Sequence, residues 1–175
     1  MRVTLGNDHC GLDLKEHIRG VLDSMGLDVV DVGTHDTKPV DFPDVTRLVC
    51  EPVRRGEVDR GILLCGTGVG ACIAANKIPG IRAALCHDTF CAHQCVEHDD
   101  VNVLCMGAWI VGPRIAEDVL RNFLGASFST EEHFRRRVTK LHEMEVAAAQ
   151  ELGEHQRSTE SPMSLPNPPR RGDPT

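Results

Sequence analysis

The chain of 175 residues is 41% hydrophobic, enough to bury one core and too short for two domains of ordinary size. A net charge of −7 with 3% aromatic residues excludes a basic, ring-bearing nucleic-acid surface, and no apolar run approaches the roughly 18 residues of a membrane span. The start, Met-Arg-Val-Thr-Leu, lacks the apolar stretch of a signal peptide, so a cytoplasmic protein with small-molecule partners, and no membrane or nucleic acid among them, is expected.

Val3 to Leu5 reads as a short strand, Gly6 to Gly11 as a turn, and Leu14, Ile18, Val21, Leu22 and Met25 recur at helical spacing. The pattern repeats with a strand over Val29 to Val32 and a helix from Pro43 carrying Val45, Leu48, Val49 and Val53, which Gly56 ends. Gly61 to Leu64 reads as a buried strand, followed by the loop Cys65-Gly66-Thr67-Gly68-Val69-Gly70 and a short helix through Ala75. Strands over Ile81 to Leu85 and Val101 to Met106 alternate with helices over Thr89 to Glu97 and Pro113 to Leu124. A last helix is expected from Glu131 to Leu152, closing a domain over residues 1–152. Residues 153–175, rich in Pro, Ser and Arg from Ser158 on, are expected to be a disordered tail. Alternating βα units predict an α/β fold: a Rossmann-like three-layer sandwich with a five-stranded parallel sheet and a C-terminal helix. Right-handed crossovers then put the loops that begin near Asp8, Gly33, Cys65, His87 and Gly107 at one sheet edge, where ligands of such sheets bind.

Eight cysteines inside apolar segments, without a secretion signal, read as free thiols rather than a disulfide framework. The surroundings of Cys65 favour a chemical role. The loop from Gly66 through Gly70 aims backbone N–H groups at one point, which attracts an anion. A thiol at a helix N-terminus has its thiolate favoured, which predicts a pKa falling from about 8.5 towards neutrality. Cys65 then qualifies as a base for a proton α to a carbonyl, with Thr67 and the loop N–H groups donating to the enediolate oxygens. Asp8-His9 after the first strand and His98-Asp99-Asp100 before the fifth are expected on this same edge, each with a histidine able to titrate near neutral pH. The run Arg135-Arg136-Arg137 has the chemistry of a phosphate clamp. Two other readings compete. Cys86, His87, Cys91, His93, Cys95 and His98 fall within thirteen residues, as zinc ligands do, although no Cys-x-x-Cys pair is present. A non-catalytic sugar-phosphate sensor is the other.

Taken together, Gly6-Asn7-Asp8-His9-Cys10-Gly11, the Cys65–Gly70 loop with Ala74-Ala75-Asn76-Lys77, and Glu97-His98-Asp99-Asp100 with Asn102-Val103-Leu104 resemble the ribose-5-phosphate isomerase B family. That family includes galactose-6-phosphate isomerases, and the resemblance spans about residues 1–150. It implies an aldose–ketose isomerase with Cys65 as the base and Thr67 with Gly66, Gly68, Val69 and Gly70 as enediolate donors. His98 and Asp8 would open the sugar ring, and His9 with Arg135, Arg136 and Arg137 would hold phosphate. It further implies a sugar-phosphate substrate, no metal, no cofactor, and a homodimer or dimer of dimers whose active sites are shared between subunits. The sequence departs from the family's pattern at Phe42, commonly Tyr; at Asp99, commonly Asn; at Trp109, in place of a phosphate-binding Arg; and at Glu132-His133-Phe134, in place of an Arg-His pair. Asp99 cannot donate a hydrogen bond to a sugar hydroxyl unless protonated. These departures lie at the substrate end. They predict weaker activity on ribose 5-phosphate than typical relatives show, with another sugar phosphate, such as a four-carbon erythrose or a six-carbon allose or galactose ester, as the better substrate.

Overall fold

The computed structural model describes residues 1–158, which fall into two compact units, Met1–Val138 and a second beginning at Thr139. The first unit contains the strands β1 (Arg2–Asn7), β2 (Asp28–Asp31), β3 (Arg60–Cys65), β4 (Ala83–Leu85) and β5 (Val103–Gly107), all parallel, in the order β2-β1-β3-β5-β4. Between and after them run α1 (Leu12–Ser24), α2 (Phe42–Arg54), α3 (Val69–Ala75), α4 (Thr89–Asp99) and α5 (Pro113–Gly125), and α6 (Glu132–Ser158) begins in this unit and continues in the second.

Side chains on a strand alternate between its faces, and here the alternation builds two cores. Val3 and Leu5 of β1, Ile62 and Leu64 of β3, and Leu104 and Met106 of β5 pack with α1, α4 and α5. Leu63, Val103 and Cys105 pack on the other face with α2 and α3. Strands covered on both sides read as continuous apolar runs, which is how Ile62 to Leu64 and Val103 to Met106 read. This is the predicted Rossmann-like three-layer sandwich.

Several boundaries differ from expectation, among them β5, which opens at Val103 rather than Val101. β4 opens at Ala83 rather than Ile81, because the Ile81 N–H closes a turn onto the Ile78 carbonyl and the Arg82 guanidinium turns to Asp100 at 2.6 Å. β1 runs on to Asn7, and the turn after it is a single 3-10 turn, His9–Gly11. α6 continues to Ser158, past the end expected at Leu152, since Glu151, Leu152 and Glu154 are good helix formers that outweigh the roughly 1 kcal/mol cost of Gly153. The expected tail from 153 therefore starts inside a helix, and residues 159–175 lie outside the described residues.

One buried cation shapes the approach to the site. Lys15 on α1 is only 4% exposed, and its Nζ donates to Asp31 of β2 at 3.2 Å and to the Thr34 carbonyl at 2.7 Å. A buried ammonium is tolerable only when paired and hydrogen-bonded in this way. The pairing ties down the start of the long loop from β2 to α2.

Candidate active site

The register of the sheet brings three strand ends together: Asn7 lies beside Leu64, and Cys65 beside Gly107. Just past β1, the Asp8 N–H donates to the Leu64 carbonyl at 3.1 Å. The Asp8 side chain is buried and its Oδ1 accepts the N–H groups of Cys10 at 2.9 Å and Gly11 at 3.1 Å, capping the 3-10 turn. The same carboxylate lies beside the Cys65 thiol. This contact reverses one expectation. Burial pushes the Cys65 thiol up, the Asp8 carboxylate pushes it further, and the N–H groups of Gly68 and Gly66 offset only part of this. Cys65 lacks a helix-terminus environment because α3 spans only Val69–Ala75 and its cap is Gly68, so the thiol lies outside the helix and next to a carboxylate.

The loop after Cys65 requires glycine for two different reasons. Gly68 caps α3 at φ 79°, a left-handed conformation, and a Cβ there would also meet the Met106 carbonyl carbon at 2.9 Å. Gly66 leaves room for the Trp109 indole, whose ring carbons lie 2.8 to 3.0 Å from where its Cβ would be. The Phe42 ring sits over Gly70 in the same manner. Thr67 is exposed and its Oγ1 accepts the Val69 N–H at 3.4 Å. His9 Nδ1 accepts the Val40 N–H at 3.4 Å, leaving Nε2 as the other ring nitrogen. The next turn is stitched on by Ala108 N–H to Cys65 O at 2.8 Å and Trp109 N–H to Gly66 O at 3.0 Å. His87, which the sequence placed only at a loop start and in the zinc set, reaches across to this turn and accepts the Gly107 N–H on Nε2 at 2.9 Å.

The remaining predicted residues form a second group on the opposite edge of the sheet, and the expectation that His98-Asp99-Asp100 share the Cys65 edge is corrected. A crossover helix runs antiparallel to its strands, so α4 starts at the edge where β4 ends and finishes where β5 begins. Nine residue steps of helix put His98 about 13.5 Å from the start of α4. Asp100 accordingly pairs with Arg82, which precedes β4, and the Ser129 N–H donates to the Glu97 carbonyl. α6 begins here too. Phe134 stacks on His98 with ring centroids 3.9 Å apart and planes at 19°, and His98 Nε2 lies 3.6 Å from Glu97. His133 Nδ1 is 3.2 Å from Glu131, Arg137 lies 5.8 Å over the Phe134 ring and Arg135 5.1 Å over Phe128, while Arg136 and Asp99 are exposed. Phe134 entered the sequence reading only as a departure from a pattern; no spacing signals a stack between residues that distant in the chain.

Among the described residues, no three of the six proposed zinc ligands bring their ligand atoms within 4.8 Å of one another; the group that does is Asp8, His9 and Cys10. In that group Asp8 Oδ1 already accepts two N–H groups, and burial followed by the Asp8 charge pushes the Cys10 thiol up, away from the thiolate that binds metals. Among the described residues, no helix is long and apolar enough to cross a membrane.

The family described as ribose/galactose isomerase matches residues 3–141. Ribose-5-phosphate isomerase B of Escherichia coli (strain K12) is 41% identical over 135 residues, 77% of this chain and 91% of the relative. D-erythrulose-4-phosphate isomerase of Pectobacterium atrosepticum is 39% identical over 130 residues, 73% of this chain and 85% of the relative. Among solved structures, Clostridium thermocellum ribose-5-phosphate isomerase B aligns with a TM-score of 0.82 at 43% identity, covering 85% of this chain and 99% of that one.

Proposed function

The chain belongs to the ribose/galactose isomerase family and is an aldose–ketose isomerase of sugar phosphates, and from that premise we propose that Cys65 moves the proton through a cis-enediolate. The observation that carries this reading is the Cys65 thiol held against the Asp8 carboxylate where three strand ends meet. In the aldose-to-ketose direction the Asp8 carboxylate first takes the thiol proton, the thiolate so formed takes the C2 hydrogen as a proton, the C–H electron pair becomes the C1–C2 double bond, and the carbonyl pair moves onto O1. Thr67 and the N–H groups of Gly66 to Gly70 donate to the enediolate oxygens. The new thiol returns its proton to C1 while the O2 hydroxyl proton passes to O1, which leaves the carbonyl at C2 and restores the thiolate. Asp8 and His98 open the ring of a cyclic substrate, and His9, His133 and the arginines 135 to 137 hold the phosphate.

His98 cannot reach the same substrate as Cys65 within one chain, because the two lie on opposite edges separated by a distance of about 15 Å, the height of the sheet. A second copy of the chain supplies the missing half. The Cys65 edge is ringed by exposed apolar side chains, Phe42, Val69, Ile73, Phe90, Trp109 and Ile110, as an interface of this kind requires. The assembly is therefore a homodimer, or a dimer of dimers, with shared sites.

The finer substrate reading follows from Trp109 and His133. The indole fills the space above Gly66 and offers no guanidinium, and His133 is engaged with Glu131. A lost charge-assisted contact costs about 1.5–3 kcal/mol, or roughly ten- to a hundredfold in KM for ribose 5-phosphate. A bulkier wall favours a shorter chain, so a four-carbon aldose or ketose phosphate is the better substrate. Coupled assays on four-, five- and six-carbon sugar phosphates test this with the wild-type chain and Cys65→Ala. We expect the highest kcat/KM on the four-carbon ester. In Cys65→Ala, turnover and deuterium exchange at the substrate's C2 should both fall at least about a hundredfold. Undiminished exchange in that variant removes the cysteine base, and ribose 5-phosphate emerging as the best substrate removes the chain-length reading.

A further inference from the structure

From the hydrogen bond between the Gly107 N–H and His87 Nε2 we infer that His87 is a positioning residue for Cys65: its imidazole replaces the strand partner that β5 loses where β4 ends, and so fixes the turn that sets the Cys65–Gly66 backbone. The role rests on the isomerase reading of this site. In a parallel ladder, alternate residues of a strand face opposite neighbours. Ala108 faces β3 and gives its N–H to Cys65 O, and so the Gly107 N–H faces β4. β4 stops at Leu85, with one further ladder bond from the Cys86 N–H to the Cys105 carbonyl. Continued one step, the ladder would offer Gly107 the Cys86 carbonyl; the chain instead turns into α4, and the His87 side chain takes the N–H at 2.9 Å.

What depends on that bond is close to the chemistry. A Cβ on Gly107 would lie 2.6 Å from the Thr67 carbonyl oxygen, so this backbone presses against the catalytic loop. The carbonyl of Gly107 accepts the N–H groups of both Ile110 and Val111, closing the turn, and the two residues between donate to Cys65 and Gly66. With its N–H unheld, Gly107 would lose a hydrogen bond that anchors this turn on the β4 side, and the peptides flanking Cys65 would be free to shift. Nε2 accepts only when it carries no proton, so His87 is neutral with its hydrogen on Nδ1. Its surroundings agree: burial lowers the imidazole pKa, and the adjacent Asp88 raises it by less. Asp88 itself is held as the cap of α4, accepting the Cys91 N–H at 2.8 Å.

Three substitutions separate positioning from packing. His87→Gln places an amide oxygen where Nε2 stands, His87→Asn places one a bond short, and His87→Leu fills the space with no acceptor. Displacing a catalytic group by about 1 Å costs up to about a hundredfold. We expect kcat to fall about ten- to a hundredfold in His87→Leu with KM within about threefold, to fall similarly in His87→Asn, and to return to within about threefold of wild type in His87→Gln. Peptide-resolved alkylation of Cys65 by iodoacetamide, measured on the same proteins, should depart from the wild-type rate in Leu and Asn and match it in Gln. That readout needs no substrate, so it decides the role of His87 even if the wild-type chain isomerises nothing in the panel, the result that would sink the isomerase reading instead. Equal kcat and equal alkylation in Gln and Asn overturn the inference, as does a His87→Leu protein with wild-type kcat. If His87→Leu does not fold, the comparison of Gln with Asn stands alone.

Discussion

Burial and the Asp8 carboxylate both disfavour a second negative charge at Cys65, so in the substrate-free protein the thiol holds its proton above the ordinary range for cysteine. The sign of a test follows. Asp8→Asn removes the charge and the acceptor of the thiol proton while leaving a side-chain oxygen to cap Cys10 and Gly11. The Cys65 thiolate should then appear at lower pH than in the wild type. Alkylation resolved peptide by peptide, followed as a function of pH, reads this directly, and Cys72 provides an internal reference. The Cys72 thiol accepts a hydrogen bond from Cys105 and another from Asn76, and is drawn down to about 7 despite its partial burial. Cys72 should therefore react ahead of Cys65 at neutral pH in both proteins, while the Cys65 profile alone moves downward in Asp8→Asn. A Cys65 profile that stays put or moves upward would show that the carboxylate does not govern the thiol. Cys65 was legible in the sequence because it ends an apolar strand and opens a glycine loop. Its protonation was not, because the deciding group, Asp8, stands 57 residues earlier and only the β1–β3 pairing makes it a neighbour.

At the scale of the elements, the same periodicities that predicted five strands and six helices predicted the sheet, since apolar runs flanked by glycine loops leave few alternatives to βαβ units. Their directions were read less well. His98-Asp99-Asp100 precedes a strand, and a segment that precedes a parallel strand belongs to the edge opposite the strand-to-helix loops. The order of motifs along the chain conveys nothing of this, whereas the pairing of Arg82 with Asp100 makes it plain. In the proposed mechanism the loop between β3 and α3 is the element on which the chemistry depends most, and Gly68 is its sharpest constraint. Gly68→Ala must adopt φ near 79° with a Cβ against the Met106 carbonyl, a strain of about 1–3 kcal/mol. For a chain of this size the expected fall in Tm is about 2–12 °C, measured by calorimetry. Turnover should fall more than KM rises, because the N–H groups proposed as donors to the enediolate oxygens follow Gly68 when it moves. A Gly68→Ala protein with unchanged Tm and kcat would mean that the loop relaxes without cost.

Across the whole molecule, the residues proposed to carry the chemistry are divided between two edges of one sheet, and the proposed shared site makes a quantitative demand on the assembly. Asp8, His9, Cys65, Thr67 and Trp109 stand at one edge, and His98, His133 and Arg137 at the other. A two-fold dimer that buries the apolar ring around the first edge against the second edge of its partner forms two complete sites, each with Cys65 from one copy and His98 from the other. Cys65→Ala and His98→Asn should each be inactive as homodimers. Unfolded and refolded together in equal amounts, half of the dimers are hybrids, and in each hybrid one site carries both lesions and the other neither, so about a quarter of wild-type activity should return. A site contained within one chain predicts no return at all, since every chain then carries a lesion. Hybrid formation is verified independently by mass spectrometry of the intact dimer, with one variant carrying an affinity tag. Activity in the purified hybrid near half that of the wild type establishes a shared site, and an inactive purified hybrid assigns Cys65 and His98 to the same chain, against the geometry of α4.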